Sequence, residues 1–287
     1  METPIYEIAR LADGAPDPAC IAALEAGKVL YFPTMGFAPL PEEKRLFTPE
    51  MRDPKSRNIS LGAEGTLKGA GGEQADKAAM EAMLKRFRSQ ALQLLERLVP
   101  AYMPALRGGA TSFRPMLVEA RKQSVRTDDR LLHVDAFPSR PNRGERLLRV
   151  FTNVNPDGVP RHWRLGEPFE DVAKHYLPHL KPYSPLGAKL LHQLHVTKSL
   201  RSEYDHLMLQ LHDAMKTDPR YQREAPQFDM HFPAGSTWVC FSDQTPHAAL
   251  AGQYMMEQTM MLSPQHQYDK AASPLAILSR LTGRTLI

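Results

Sequence analysis

Beyond Gly108-Gly109 the chain changes texture, and that change restricts its fold more than any other feature. Short runs rich in Val, Leu, Phe, Thr and Met recur at Ser112 to Ala120, Leu131 to Phe137, Arg146 to Val154, Met230 to Phe232, Thr237 to Phe241 and Tyr254 to Leu262. Runs of this length and composition, separated by Gly, Pro, Asn and Asp, predict strands. One helical stretch interrupts them, from about Pro185 to Met215. Leu186, Leu190, Leu191, Leu194, Tyr204, Leu207, Leu211 and Met215 form its expected buried stripe. Upstream, Met80, Met83, Leu84, Phe87, Ala91, Leu94, Leu95 and Leu98 mark a long amphipathic helix from Gln74 to about Leu106. A short helix over Pro18 to Ala26 leads through Gly27 into an extended run ending at Pro33. Between Phe37 and Gly72, Pro, Gly, Arg and Glu without periodicity predict irregular loops covering a site. Short strands around an interior site, with helices outside, predict an α+β chain built on an antiparallel double-sheet barrel.

At 287 residues, 42% of them hydrophobic, the chain is long enough for one large domain with a continuous core, or two small ones. Its net charge of +4 is too small to identify a nucleic-acid or membrane partner. Cys20 and Cys240 are far apart and lack CxxC spacing, which argues against a disulfide framework or a cysteine zinc site. Met1 to Arg10 carries Glu2 and Glu7 and no apolar core, so no secretory signal is expected there. No window reaches the roughly 20 apolar residues that span a bilayer, and a cytoplasmic location is expected.

In Leu131-Leu132-His133-Val134-Asp135-Ala136-Phe137, strand alternation puts His133 and Asp135 on one face. An imidazole and a carboxylate so placed can take neighbouring positions of a metal, and a third ligand from a distant strand leaves open sites for a cosubstrate and oxygen. An isolated HxD is weak evidence. The third ligand is found where a Pro233-Ala234-Gly235 turn leads into an apolar strand, which ends in Ser242-Asp243-Gln244-Thr245-Pro246 and delivers His247. With these elements the chain resembles the Fe(II)/2-oxoglutarate dioxygenases, whose HxD and distal His sit at the mouth of a double-stranded β-helix, a jelly-roll or cupin-like core. The resemblance implies Fe(II) held by His133, Asp135 and His247, with 2-oxoglutarate and O2 as cosubstrates. It also implies one dioxygenase domain over 1–287. That domain would have N-terminal support over about 1–110, a barrel core over about 111–265 with a helical insert at about 168–220, and a tail helix over 266–287.

Many members of that superfamily bind the far carboxylate of 2-oxoglutarate with Arg or Lys on the strand after the distal His. Here Ala248 to Asp269 contains neither, and Gln258 is the nearest polar substitute. The strand after HxD offers Arg149, which shares a face with Phe151, Asn153 and Asn155. If that face looks inward, Arg149 forms the bidentate pair. Arg149, Asn153 and Gln258 are therefore the expected cosubstrate-binding residues, with Arg146 and Arg121 in reserve.

The block HVDAFPSRPNRGERLLRVFTNVNP from His133, followed by RHWRLGEPF from Arg161, resembles the Kdo 3-hydroxylases. These bacterial enzymes hydroxylate C3 of Kdo in the inner core of lipopolysaccharide. The resemblance covers roughly Arg114 to Gln265. It implies a Kdo-containing glycolipid substrate, peripheral contact with the cytoplasmic face of the inner membrane and no nucleic acid. Arg140, Arg143, Arg146, Arg161 and Arg164 are opposed in that region only by Glu145 and Asp157. Together with Trp163 they are the expected substrate-binding residues, because planar guanidinium groups suit carboxylate and phosphate. The rival readings are a noncatalytic metal- or sugar-binding barrel and an oxygenase acting on protein or nucleic acid.

Overall fold

A computed structural model describes residues 2–11, 14–120 and 123–287. In chain order the main elements are β1 (Ile5–Glu7), α1 (Pro18–Glu25), β2 (Val29–Phe32), β3 (Ile59–Leu61), β4 (Leu67–Lys68), α2 (Gln74–Leu98), β5 (Arg107–Arg114) and β6 (Arg146–Asn153). They continue with β7 (Arg161–Leu165), α3 (Phe169–Tyr176), α4 (Pro185–Gln193), α5 (Glu203–Thr217), α6 (Pro219–Glu224) and β8 (Phe228–Phe232). The chain closes with β9 (Thr237–Phe241), β10 (His247–Ala251), β11 (Met255–Leu262) and α7 (Pro274–Thr282). Two sheets result, an 8-stranded one in the order β1-β2-β9-β6-β11-β5-β3-β4 and a 3-stranded one in the order β10-β7-β8. All pairings are antiparallel except β1 with β2.

Strand alternation sorts the large sheet into two faces. Leu30, Leu148, Val150, Val239, Phe241 and Met260 pack outward against Ala91, Leu94, Leu95 and Leu98 of α2. The intervening residues Tyr31, Phe151, Trp238 and Cys240, with Met255, pack inward against Trp163, Leu165, Phe232 and Ala249 of the small sheet. Each large side chain buried this way contributes on the order of 1.5–3 kcal/mol. Because β6 is covered on both sides, all eight of its residues are buried. The side of β6 that carries Arg149 and Phe151 is therefore the inner one.

The stripe expected for α2 is the stripe that is buried, but the helix ends at Leu98 rather than near Leu106. Pro100 has no N–H to continue the ladder, and 3-10 turns take over through Ala105. β5 also ends early, at Arg114, before Pro115. The predicted helix over 185–215 is two helices, α4 and α5, and its stripe divides with them. Tyr204, Leu207, Leu211 and Met215 of α5 are buried, whereas Leu186, Leu190 and Leu194 stand exposed. Among the described residues no helix is long and apolar enough to cross a membrane, and Cys20 and Cys240 are free and buried.

Candidate metal centre and cosubstrate cleft

Leu131 to Phe137 is extended but is not a regular strand. His133 and His247 exchange backbone hydrogen bonds, 3.0 Å from His133 N–H to the His247 carbonyl and 2.8 Å in return. The ladder stops on both sides of that pair. A turn in which Leu131 N–H donates to the Asp128 carbonyl interrupts one side. On the other, Gln244 and Thr245 turn back on the Phe241 carbonyl, and Asp135 N–H reaches the Ser242 carbonyl at 2.8 Å. Local alternation still presents His133 and Asp135 together, with His133 Nε2 3.7 Å from Asp135 Oδ1. The imidazole centroids of His133 and His247 are 4.8 Å apart. One potential ligand atom from each of the three residues lies within 4.8 Å of the others.

The donor set fits a divalent metal. Nδ1–H of His133 donates to the Leu131 carbonyl at 2.7 Å and Nδ1–H of His247 to the Thr245 carbonyl at 2.9 Å. Each bond fixes the tautomer whose Nε2 carries the lone pair a metal needs. Burial, followed by the neighbouring His133, lowers the His247 pKa to about 4, which keeps its ring neutral. Burial pushes the Asp135 carboxyl up, but the Arg149 guanidinium beside it holds it well below the usual carboxylate range. The Thr245 turn is itself anchored, because Thr245 Oγ1 donates to the Gly27 carbonyl and Gln244 Nε2 to the Glu25 carbonyl.

These three residues open onto a cleft of about 190 Å³ that is also lined by Arg57, Asn58, Arg114, Asp129, Phe137, Arg149, Phe151, Arg161 and Trp163. Arg149 bridges two acids, with Nη2 2.9 Å from Asp135 Oδ2 and Nη1 2.9 Å from Glu257 Oε1. Glu257 also pairs with Arg114, which reaches Asp129 at 3.7 Å, and Asp129 pairs with Arg57 at 2.5 Å. Acids and guanidinium groups thus alternate from Asp135 to the mouth, where Arg57 is half exposed. Trp163 stacks on His247 with centroids 5.1 Å apart and planes at 20°. Two positions earlier on β7, Arg161 is 1% exposed and its Nη1 donates to the Gly252 carbonyl at 2.8 Å.

The sequence model for 3-deoxy-D-manno-oct-2-ulosonic acid (Kdo) hydroxylase matches residues 10–285. This chain belongs to the Kdo hydroxylase family. Among solved structures, its fold matches that of the Kdo hydroxylase KdoO, a non-heme Fe(II) α-ketoglutarate-dependent dioxygenase, in complex with cobalt(II). The identity is 41%, the TM-score 0.94, and the match covers 99% of this chain and 98% of that one. KdoO in complex with α-ketoglutarate and Fe(III) matches at 41% identity and TM-score 0.93, again over 99% and 98% of the two chains. KdoO with succinate and Fe(III) does so at 42% and 0.93, with the same coverage. A search of curated proteins returned no match.

Within this Kdo hydroxylase fold several expected site residues have other work. Asn153 does not line the cleft: its amide nitrogen donates to the Val159 and Phe232 carbonyls, and its oxygen accepts from Asn155 N–H. Gln258 lies on the opposite face of β11 from Glu257, where it accepts from Thr111 Oγ1 and donates to the Thr259 carbonyl. Arg146 is fully buried, with Nε 2.8 Å from Asp243 Oδ2 and its guanidinium 3.8 Å above the Phe241 ring, so it cannot reach a substrate. Arg164 alternates away from Trp163 and pairs with Asp229 at 2.7 Å. Arg140 and Arg143 are exposed beyond Phe137. Arg121 lies outside the described residues. Sequence reasoning passed over Arg57, Arg114, Asp129 and Glu257. Glu257 carried a signal, as the one acid in the strand run Met255 to Leu262.

The depressed histidine gives a pH dependence. A group whose folded pKa lies below its unfolded value contributes stability that is present above the unfolded pKa and is lost as pH falls. Between pH 6.5 and about 4 the metal-free chain is therefore expected to lose on the order of 3 kcal/mol through His247. Thermal melts of metal-free protein across this range test it, and an unchanged slope in His247→Gln would refute the assignment.

Proposed function

We propose that this chain hydroxylates C3 of Kdo in the inner core of lipopolysaccharide, with Kdo-lipid A as substrate and with Fe(II), 2-oxoglutarate and O2. The observation that carries the proposal is a His133-Asp135-His247 centre whose two imidazoles turn their free Nε2 inward, in a chain 41% identical to KdoO over nearly its whole length. His133, Asp135 and His247 would hold Fe(II), which would supply the oxidative chemistry that couples conversion of 2-oxoglutarate and O2 to succinate and CO2 with the change of C–H to C–OH. We read 1–287 as one dioxygenase domain. Its two facing sheets serve as a double-stranded β-helix, a jelly-roll of cupin type, and the site lies between them. A cytoplasmic location with peripheral contact at the inner membrane follows from the substrate.

The chain's own residues position and exclude. The Leu131 and Thr245 carbonyls hold the imidazoles in their ligating tautomer. Arg149 fixes Asp135 through Oδ2, leaving Oδ1 on the side of His133. Arg161 takes the far carboxylate of 2-oxoglutarate, because it is a buried cation on the cleft face of β7, beyond the Trp163 ring that covers His247. Arg149, first expected in that role, acts one step closer to the metal. Phe151 and Trp163 keep water from the reacting carbon. Arg57 at the mouth, with the exposed Arg140 and Arg143, meets the sugar carboxylate and lipid phosphates. Purified protein supplied with Fe(II), 2-oxoglutarate and air is expected to add one oxygen atom to Kdo-lipid A and release one succinate per product, read by mass spectrometry. Succinate release without a mass change in the lipid would sink the substrate assignment.

A further inference from the structure

The interval between α3 and α5 contributes nothing to the metal centre, and α4 within it inverts the usual burial of a helix. Leu186, Leu190 and Leu194 recur every four residues along one face, yet Ala188 is the only buried residue of α4. Leu186 is 78% exposed, Leu190 55% and Leu194 63%, and Val196 at 53% and Leu200 at 41% extend the patch. A run of exposed large apolar side chains of this size marks a surface that meets something.

Charge and position identify the partner. From Lys181 to Ser202 the sequence holds Lys181, Lys189, Lys198 and Arg201 and not one Asp or Glu. A helix with leucines on one side, cations beside them and no acid suits the interface of an anionic bilayer, with apolar groups at the acyl boundary and ammonium groups among the phosphates. The loop after α4 is tied to the mouth of the cleft. Lys198 N–H donates to the Ser139 carbonyl at 2.9 Å and Arg201 Nη2 to the Pro138 carbonyl at 2.7 Å. Both acceptors directly follow Phe137, which lines the cleft.

We propose that α4 and the loop after it are a membrane-docking element, lying in the surface of an anionic bilayer and holding the cleft mouth at headgroup level. The link to catalysis rests on the Kdo-lipid A reading, whereas the docking itself does not. The test is flotation of the full chain with vesicles of phosphatidylcholine alone or mixed with phosphatidylglycerol. The wild type is expected to float with the anionic vesicles and to release as salt rises. Leu186→Gln, Leu190→Gln and Leu194→Gln together should reduce partitioning by about tenfold or more at an unchanged melting temperature, because these side chains are exposed. Lys189→Glu with Lys198→Glu should weaken binding to anionic vesicles only. The triple leucine variant should match the wild type on a water-soluble Kdo disaccharide and fall behind it on Kdo-lipid A in bilayers. Equal flotation of the triple variant and the wild type overturns the proposal. So does a wild-type dimer that the triple variant makes monomeric while vesicle binding stays the same. A chain that docks through α4 but leaves Kdo unmodified upholds the docking element and refutes the substrate reading.

Discussion

His247→Ala is expected to leave a folded chain that no longer holds Fe(II) or Co(II) and no longer converts 2-oxoglutarate to succinate. Loss of an outer partner of a metal ligand typically lowers affinity about 10–100-fold, and removal of a ligand should exceed that. The variant loses one of three donors and also the bond from Nδ1 to the Thr245 carbonyl, but the reciprocal backbone bonds between positions 133 and 247 do not depend on the side chain. The fold should therefore survive, and circular dichroism serves as the control. Cobalt absorption and succinate release give the two readouts. His133→Ala should behave alike, since its imidazole is held in the same way by the Leu131 carbonyl. Full turnover in either variant would remove the triad from the mechanism.

The second large effect separates two arginines that a sequence-level reading cannot distinguish. In Arg149→Ala, the largely shielded Asp135 and the buried Glu257 each lose a guanidinium partner. Breaking a buried pair by removing one side typically costs about 3–5 kcal/mol, and Arg114, which still faces Glu257, places the expected loss near the lower figure. Asp135 also loses its orientation, so metal affinity should fall about 10–100-fold. In Arg161→Ala, metal binding should remain close to normal. The 2-oxoglutarate requirement should rise about 30-fold or more, because truncating one partner of a buried, hydrogen-bonded charge pair costs 2 kcal/mol or more. Metal titration and the KM for 2-oxoglutarate, measured on both variants, decide between them. A raised 2-oxoglutarate requirement with normal metal binding in Arg149→Ala, and no such rise in Arg161→Ala, would return the anchor to Arg149.

The sequence was most informative where local pattern and burial coincide. The α2 stripe is legible because a long helix with one apolar face has one way to bury it. The β9 run is legible because a strand covered on both sides is made of residues that bury readily, whereas β6, covered in the same way, also buries Arg146, Arg149, Thr152 and Asn153 among its apolar residues. α4 shows the limit of this logic. Its leucine spacing is that of a core helix, but Leu186, Leu190 and Leu194 stand exposed, and spacing alone does not reveal whether a partner exists. The arginines fail for a related reason. Six of them crowd Arg140 to Arg164, and alternation sends Trp163 and Arg161 into the cleft and Arg164 out of it. Arg146 lies on a well-predicted strand, yet it ends in a buried pair with Asp243, 97 residues away in sequence. Nothing local to either residue announces that pairing.

The residues of the candidate metal centre were in the sequence from the start. His133 and Asp135 share a face by the period of extended chain, and the Ser242 to Pro246 turn brings His247 to them; the chain's membership in the Kdo hydroxylase family gives that arrangement its chemical meaning. The tertiary structure alone decided how charge is distributed around it. Which guanidinium holds Asp135, which acid offsets it and which cation faces the cleft all depend on contacts between strands brought together from distant parts of the chain. Electrostatic energy depends on distance and burial, and sequence separation fixes neither.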